Sequence, residues 1–178
     1  MKDKQIAIIG GGNLGTAIAE GLLLSGEVQP GELTVTRRRT ELLGNLREKG
    51  VVVTSDNRQA VLSADLILVA VKPYQVVEVL KGFRDLLSPE KVVISLVAGV
   101  DLNELAAVAG ENIPLFRAMP NTAIALQESM TLISTNGSSE AQTRQVVGLF
   151  DKMGKTAIIP DELMAAATVL ASCGIAYA

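Results

Sequence analysis

Three glycines carry the first chemistry that can be read from this chain. Gly10, Gly12 and Gly15 form G-x-G-x-x-G. The apolar run Gln5-Ile6-Ala7-Ile8-Ile9 precedes them and reads as a buried strand. After them Leu14, Ala17, Ile18, Gly21, Leu22 and Ser25 recur at helical spacing as a small, mostly apolar face. Strand, glycine turn and helix together make the pattern specific for a dinucleotide. Gly10 allows the tight turn, Gly12 lets a pyrophosphate approach the main chain, and Gly15 lets helix and strand pack closely. The helix N-terminus then offers free N–H groups and a partial positive charge. The competing reading is a glycine-rich turn that binds nothing.

The adenosine end of a dinucleotide belongs at the end of the second strand. An acid about 20 residues past the glycines favours NAD, whereas an arginine there accommodates the 2′-phosphate of NADP. Here the position carries Arg37, Arg38 and Arg39 and no acid. Guanidinium groups fork onto phosphate and stack on adenine. NADPH is therefore expected in preference to NADH, which stays possible. Alanine at Arg37 and Arg38 is expected to weaken NADPH binding and spare NADH. The plainer alternative is a solvated basic turn.

Ala70-Val71-Lys72-Pro73 and Leu96-Val97-Ala98 end two further strands, where ligands of open α/β sheets bind. Backbone groups there can reach the ribose and nicotinamide, and Asn57 the adenine side. Lys72 is a candidate catalytic group, as a positive charge or proton donor, or else an ordinary loop lysine. Met119 and Pro120 give an apolar wall for a substrate. Asn121 at its edge is the second candidate catalytic group, or else caps a turn.

Composition limits the rest. The 178 residues contain no histidine and one cysteine, Cys173. Imidazole metal ligands and histidine bases are excluded, and no metal site is expected. Proton chemistry falls to Lys, Tyr, Cys, carboxylates, hydroxyls, water or the substrate. A lone Cys in an alanine-rich helix reads as packing more readily than as a nucleophile. It also excludes an internal disulfide and fits a reducing cytoplasm. The charged Met1-Lys2-Asp3-Lys4 runs straight into the first strand, leaving no room for a signal peptide. No apolar run approaches the roughly 20 residues a membrane helix needs. Charge is mixed and mildly acidic, which argues against nucleic acid.

These residues need a scaffold, and the chain alternates strand and helix to supply one. Strands are expected at 33–36, 51–53, 65–71, 91–97, 113–117, 129–134 and 157–159. Helices are expected over 40–49, 57–63, 74–87, after Asp101 with its capping-box Glu104, over 139–152 and over 162–178. On the 74–87 helix Val76, Val77, Leu80, Phe83 and Leu87 share one face. The pattern predicts a Rossmann-type, doubly wound, mostly parallel sheet over residues 1–160. Residues 161–178 read as the first helix of a helical domain. That helix ends on Ala176-Tyr177-Ala178 without a cap or polar tail, which suggests a fragment or an end packed on another subunit.

The motifs IGGGNLG, AVKP, SLVAG, RAMPNT and TVLASCGIAYA, in this order, resemble those of pyrroline-5-carboxylate reductases along essentially the whole chain. The resemblance implies reduction of 1-pyrroline-5-carboxylate to L-proline by NAD(P)H, the last step of proline biosynthesis. It implies that Ile9, Gly10, Gly11, Gly12, Asn13 and Leu14 hold the pyrophosphate. Arg37 to Arg39 fall where the family reads the adenosine ribose or its phosphate. Asn57, Ala70 to Pro73 and Leu96 to Ala98 match other cofactor-contacting positions. The family is larger, with a C-terminal helical domain that forms an intertwined homodimer and completes the substrate site. The chain departs from the family where Ala171 to Tyr177 replace S-G-S-G-P-A-Y, and at Ala165 in place of an aspartate. A cyclic imine protonated in solution needs no strong enzymic acid, which suits a chain without histidine. The other readings are a reductase of another small imine, keto acid or hydroxy acid, and an NADP-binding module without turnover.

Overall fold

The computed structural model describes residues 4–170. Its centre is an eight-stranded sheet in the order β3-β2-β1-β4-β5-β6-β7-β8. The strands are β1 Ile6–Ile9, β2 Leu33–Thr36, β3 Val52–Thr54, β4 Leu66–Val69, β5 Val92–Ser95, β6 Leu115–Met119, β7 Ser129–Thr135 and β8 Gly154–Ile158. The runs IAII, LILV and VVIS are buried along their whole length. Both faces of these three strands are covered, so alternate residues feed two cores and none of them faces water. Ile6 and Ile8 pack with Ile18 and Leu22 of α1 (Asn13–Ser25). Ala7 and Ile9 join Val69, Leu80, Phe83 and Leu105 on the opposite face.

Every neighbouring pair runs parallel except β6 and β7. The link between those two spans 120–128 and folds into a 3-10 turn at Thr122–Leu126. It is too short for a crossover helix, so the chain returns antiparallel. Helix α6 (Glu140–Asp151) then crosses back to β8, with the Ser139 hydroxyl accepting from the Gln142 N–H at its start. The Rossmann-type, mostly parallel sheet expected from the pattern is the fold observed.

Several helices are shorter than the periodicity predicts. Residues 74–87 form a 3-10 turn at Pro73–Gln75, α4 at Val76–Lys81 and a second 3-10 turn at Arg84–Leu86. The break has a physical cause at Gly82. Its carbonyl accepts from Arg58 Nη1 at 2.8 Å instead of from a further helical turn. Arg58 also forks onto Asp85 at 2.6 and 2.7 Å. Val76, Leu80 and Phe83 are buried, whereas Val77 is 42% exposed and leaves the predicted face. Residues 40–49 likewise divide into a 3-10 turn at Thr40–Leu43 and α2 at Gly44–Glu48.

Helix α3 spans Asn57–Ser63 and α5 spans Leu102–Ala109, the latter with the expected Asp101–Glu104 capping box. The final predicted helix begins as a 3-10 turn at Asp161–Leu163 followed by α7 at Met164–Thr168. Its predicted continuation to Ala178, with Cys173, lies outside the described residues.

Candidate functional site: a cleft at the strand carboxyl ends

Register brings the candidate residues to one level. Ile9 lies opposite Thr36 of β2 and Val69 of β4, and Val69 lies opposite Ser95 of β5. The segments that follow these strands therefore emerge side by side. They begin at Gly10, Arg37, Ala70 and Leu96. This is also where the strand order reverses, at β1 between β2 and β4. Open α/β sheets bind ligands at that crevice.

The three glycines differ in what holds them. Gly10 has φ +109°, and a Cβ there would stand 2.5 Å from the Ala70 carbonyl oxygen. A Cβ on Gly15 would stand 2.2 Å from the Gly10 carbonyl oxygen, so the helix can sit this close only without one. Gly12 is under no such constraint. Its φ is −81°, open to any residue, and a Cβ would meet nothing within 4 Å. Gly12, Asn13 and Leu14 N–H groups donate to no acceptor among the described residues. The start of α1 thus presents unpaired donors and the positive end of its dipole to the cleft.

Thr36 ties this loop to β2, a role the sequence reading missed. Its carbonyl accepts from Gly10 N–H at 3.2 Å and Gly11 N–H at 2.6 Å. Its hydroxyl donates to Asn57 Oδ1 at 2.7 Å. Its one visible signal is its place, the last strand residue before the arginines. Arg37 Nη1 donates to the Gly11 carbonyl at 2.8 Å, so this side chain turns back onto the loop. Arg38 and Arg39 are exposed beside it. No carboxylate lies within ion-pair distance of the three arginines among the described residues.

Asp56 starts α3 by accepting from Arg58 N–H at 2.8 Å and Gln59 N–H at 3.1 Å. Asp56→Ala removes that N-cap and is expected to lower the melting temperature by a few degrees, read by circular dichroism. The Lys72 N–H donates to Gln75 Oε1 at 3.3 Å, closing the turn that Pro73 begins.

Ile9 to Leu14, Arg37 to Arg39, Asn57, Ala70 to Pro73 and Leu96 to Ala98 line one open cleft of about 1480 Å³. That exceeds the ~300–1,000 Å³ of an ordinary small-molecule pocket and suits an elongated ligand. Ser55, Arg58, Gln75 and Glu78 also line it and were not singled out from the sequence. Gly15 lies beneath the cleft and does not line it.

Met119, Pro120 and Asn121 are not among the residues that line this cleft. Met119 is buried against Leu132 and Met164. Asn121 Oδ1 accepts from Ala123 N–H at 3.1 Å, and its own N–H donates to Ser129 Oγ at 3.2 Å. The turn-capping alternative for Asn121 is thus the geometry seen.

A second polar centre joins β6 to the start of α7. Arg117 Nη1 meets Asp161 Oδ1 at 2.7 Å with its side chain 7% exposed. Ser134 Oγ donates to the same oxygen at 2.6 Å, and Leu102 N–H donates to Asp161 Oδ2 at 3.1 Å. Burial works to raise the Asp161 pKa. The donors Ser134, Leu102 N–H and Arg117, with the Arg117 charge, outweigh burial and hold it below the ordinary carboxylate value. Arg117 Nε has no partner among the described residues. The sequence reading saw Asp161 only as the opening of a helix. Its partners lie far away in sequence and leave no local trace.

The family model described as "NADP oxidoreductase coenzyme F420-dependent" matches residues 5–99, more than half of the chain. Pyrroline-5-carboxylate reductase 2 of Dictyostelium discoideum is 34% identical over 98% of this chain and 64% of its own length. The chain belongs to that oxidoreductase family, and this relative within it is a pyrroline-5-carboxylate reductase. The structure of a pyrroline-5-carboxylate reductase from Coxiella burnetii superposes with TM-score 0.91 at 30% identity. The superposition covers 98% of this chain and 66% of that one. Plasmodium falciparum pyrroline carboxylate reductase, solved with NADP bound, shares the fold at TM-score 0.89 and 24% identity, covering 99% of this chain and 65% of that one. The chain therefore spans less than two thirds of the length of these reductases.

Proposed function

We infer that the chain holds NADPH across the strand carboxyl ends and reduces 1-pyrroline-5-carboxylate to L-proline. The observation that carries this reading is the glycine loop, with its unpaired N–H donors and carboxylate-free arginines in one elongated cleft. Kinship with reductases of that name supports the substrate, and the NADP-bound relative supports the cofactor. The residues fit a dinucleotide, since the space a Gly12 Cβ would enter is open. NADH remains the lesser alternative.

When bound, NADPH supplies a hydride. The work of this chain is to bind and orient. The start of α1 takes the diphosphate, and the arginines take the adenosine phosphate. Ala70 to Pro73 and Leu96 to Ala98, which follow β4 and β5 and line the cleft, are read as contacts of the nicotinamide half. The Lys72 ammonium offers positive charge at that rim. Met119, Pro120 and Asn121 are proposed to border the substrate. No histidine is present to carry a proton, which suits an imine that reaches the site already protonated.

Residues 1–160 are read as the cofactor domain and residues 161–178 as the first helix of a helical dimerisation domain. A homodimer or higher homo-oligomer follows from that reading, and the single cysteine fits a reducing cytoplasm. No helix among the described residues is long and apolar enough to cross a membrane, and none of them cluster as metal ligands. A binding module without turnover is the second reading. It is favoured by the fact that Met119, Pro120 and Asn121 line no part of the cleft.

The test is a fluorescence titration of the chain with NADPH, followed by NADPH oxidation with pyrroline-5-carboxylate. Saturable binding is expected, with turnover by this chain or by a longer natural form of it. Binding without turnover by either form selects the module, and no binding rejects both readings.

A further inference from the structure

The three arginines at the end of β2 face different tasks. Arg38 and Arg39 are exposed and border the cleft, whereas Arg37 is half-buried with Nη1 on the Gly11 carbonyl at 2.8 Å. The Gly11 N–H donates to the Thr36 carbonyl at 2.6 Å. Thr36, the last residue of β2, and Arg37 just after it therefore grip Gly11 at both its polar atoms. The peptide joining Gly11 to Gly12 is planar and trans, so its C=O and N–H point in opposite directions. Turning the Gly11 carbonyl onto Arg37 therefore turns the Gly12 N–H away from it. That N–H is among those with no acceptor in the described structure.

We propose that Arg37 is a positioning residue that sets the Gly11–Gly12 peptide for a diphosphate, and that Arg38 and Arg39 alone distinguish a 2′-phosphate. This rests on the cofactor reading above and refines it. It replaces the expectation that Arg37 and Arg38 act together on the phosphate. A diphosphate is common to NADPH and NADH, so the loss of Arg37 must be felt equally by both. A 2′-phosphate belongs to NADPH only, so the loss of Arg38 and Arg39 must be felt by one.

The experiment titrates three variants of the full chain with each cofactor. Arg37→Met keeps the apolar stem and is expected to weaken NADPH and NADH alike by about tenfold, leaving their ratio unchanged. Arg37→Lys keeps a cationic donor and is expected to recover part of that loss. Arg38→Ala with Arg39→Ala is expected to cut the NADPH-to-NADH preference by about tenfold or more, with NADH binding kept. Phosphorus NMR of bound NADPH supplies a readout that simple destabilisation would not move. Arg37→Met is expected to shift the diphosphate resonances and leave the 2′-phosphate resonance in place. A loss confined to NADPH in Arg37→Met, or no loss for either cofactor, overturns the assignment. An unaltered chain that binds neither cofactor overturns the underlying cofactor reading instead.

Discussion

Asp161→Ala is expected to remove about 3 kcal/mol of stability, read as a lower urea midpoint at unchanged slope. The size follows from what is left behind. Arg117 is 5% exposed and its Nε already lacks a partner, so deleting the carboxylate strands a buried guanidinium. The Ser134 hydroxyl and the Leu102 N–H lose their acceptor as well. Replacing both charges, as Arg117→Met with Asp161→Leu, is expected to restore most of the loss, because apolar residues of similar volume need no partner. The pH dependence has a definite sign. The folded Asp161 carboxyl sits below its ordinary value of 3.8. Its contribution is complete above that ordinary value and is lost as pH falls through the folded one. Asp161→Asn is expected to flatten the acid limb of stability against pH. An unchanged limb would show that other carboxylates govern acid unfolding.

Gly12→Ser is expected to lower NADPH affinity about a hundredfold, some 3 kcal/mol, while stability holds or rises. The two effects separate because Gly12 is free of internal constraint. Its backbone angles suit any residue, and an added Cβ touches nothing within 4 Å. Serine is also a better helix N-cap than glycine. The only thing the new side chain can obstruct is a ligand lying against the start of α1. Calorimetric titration beside thermal unfolding measures both quantities. Unaltered affinity would remove the diphosphate from this loop.

The strands and the glycine loop were legible because their signals are local. A parallel strand covered on both faces must be apolar throughout, and IAII, LILV and VVIS are. Roles that depend on distant partners were not legible. The 74–87 helix is cut at Gly82 by Arg58, 24 residues earlier in the chain. Arg117 meets Asp161 across 44 residues. Thr36 and Arg37 look like the end of a strand and the start of a basic turn. Only the paired register of β1 and β2 brings them onto Gly10 and Gly11.

The arginines at the cleft mouth also bear on kinetics. The chain as a whole carries a formal net charge of −3, yet three guanidiniums without carboxylate partners cluster at one opening. At about 10 Å and beyond in 0.1 M salt, an approaching polyanion feels little of either. Inside that range the local cations dominate and draw it toward the opening. Added electrolyte should therefore slow capture more than it speeds escape. The same cluster would make inorganic polyphosphates competitors for the opening at low ionic strength.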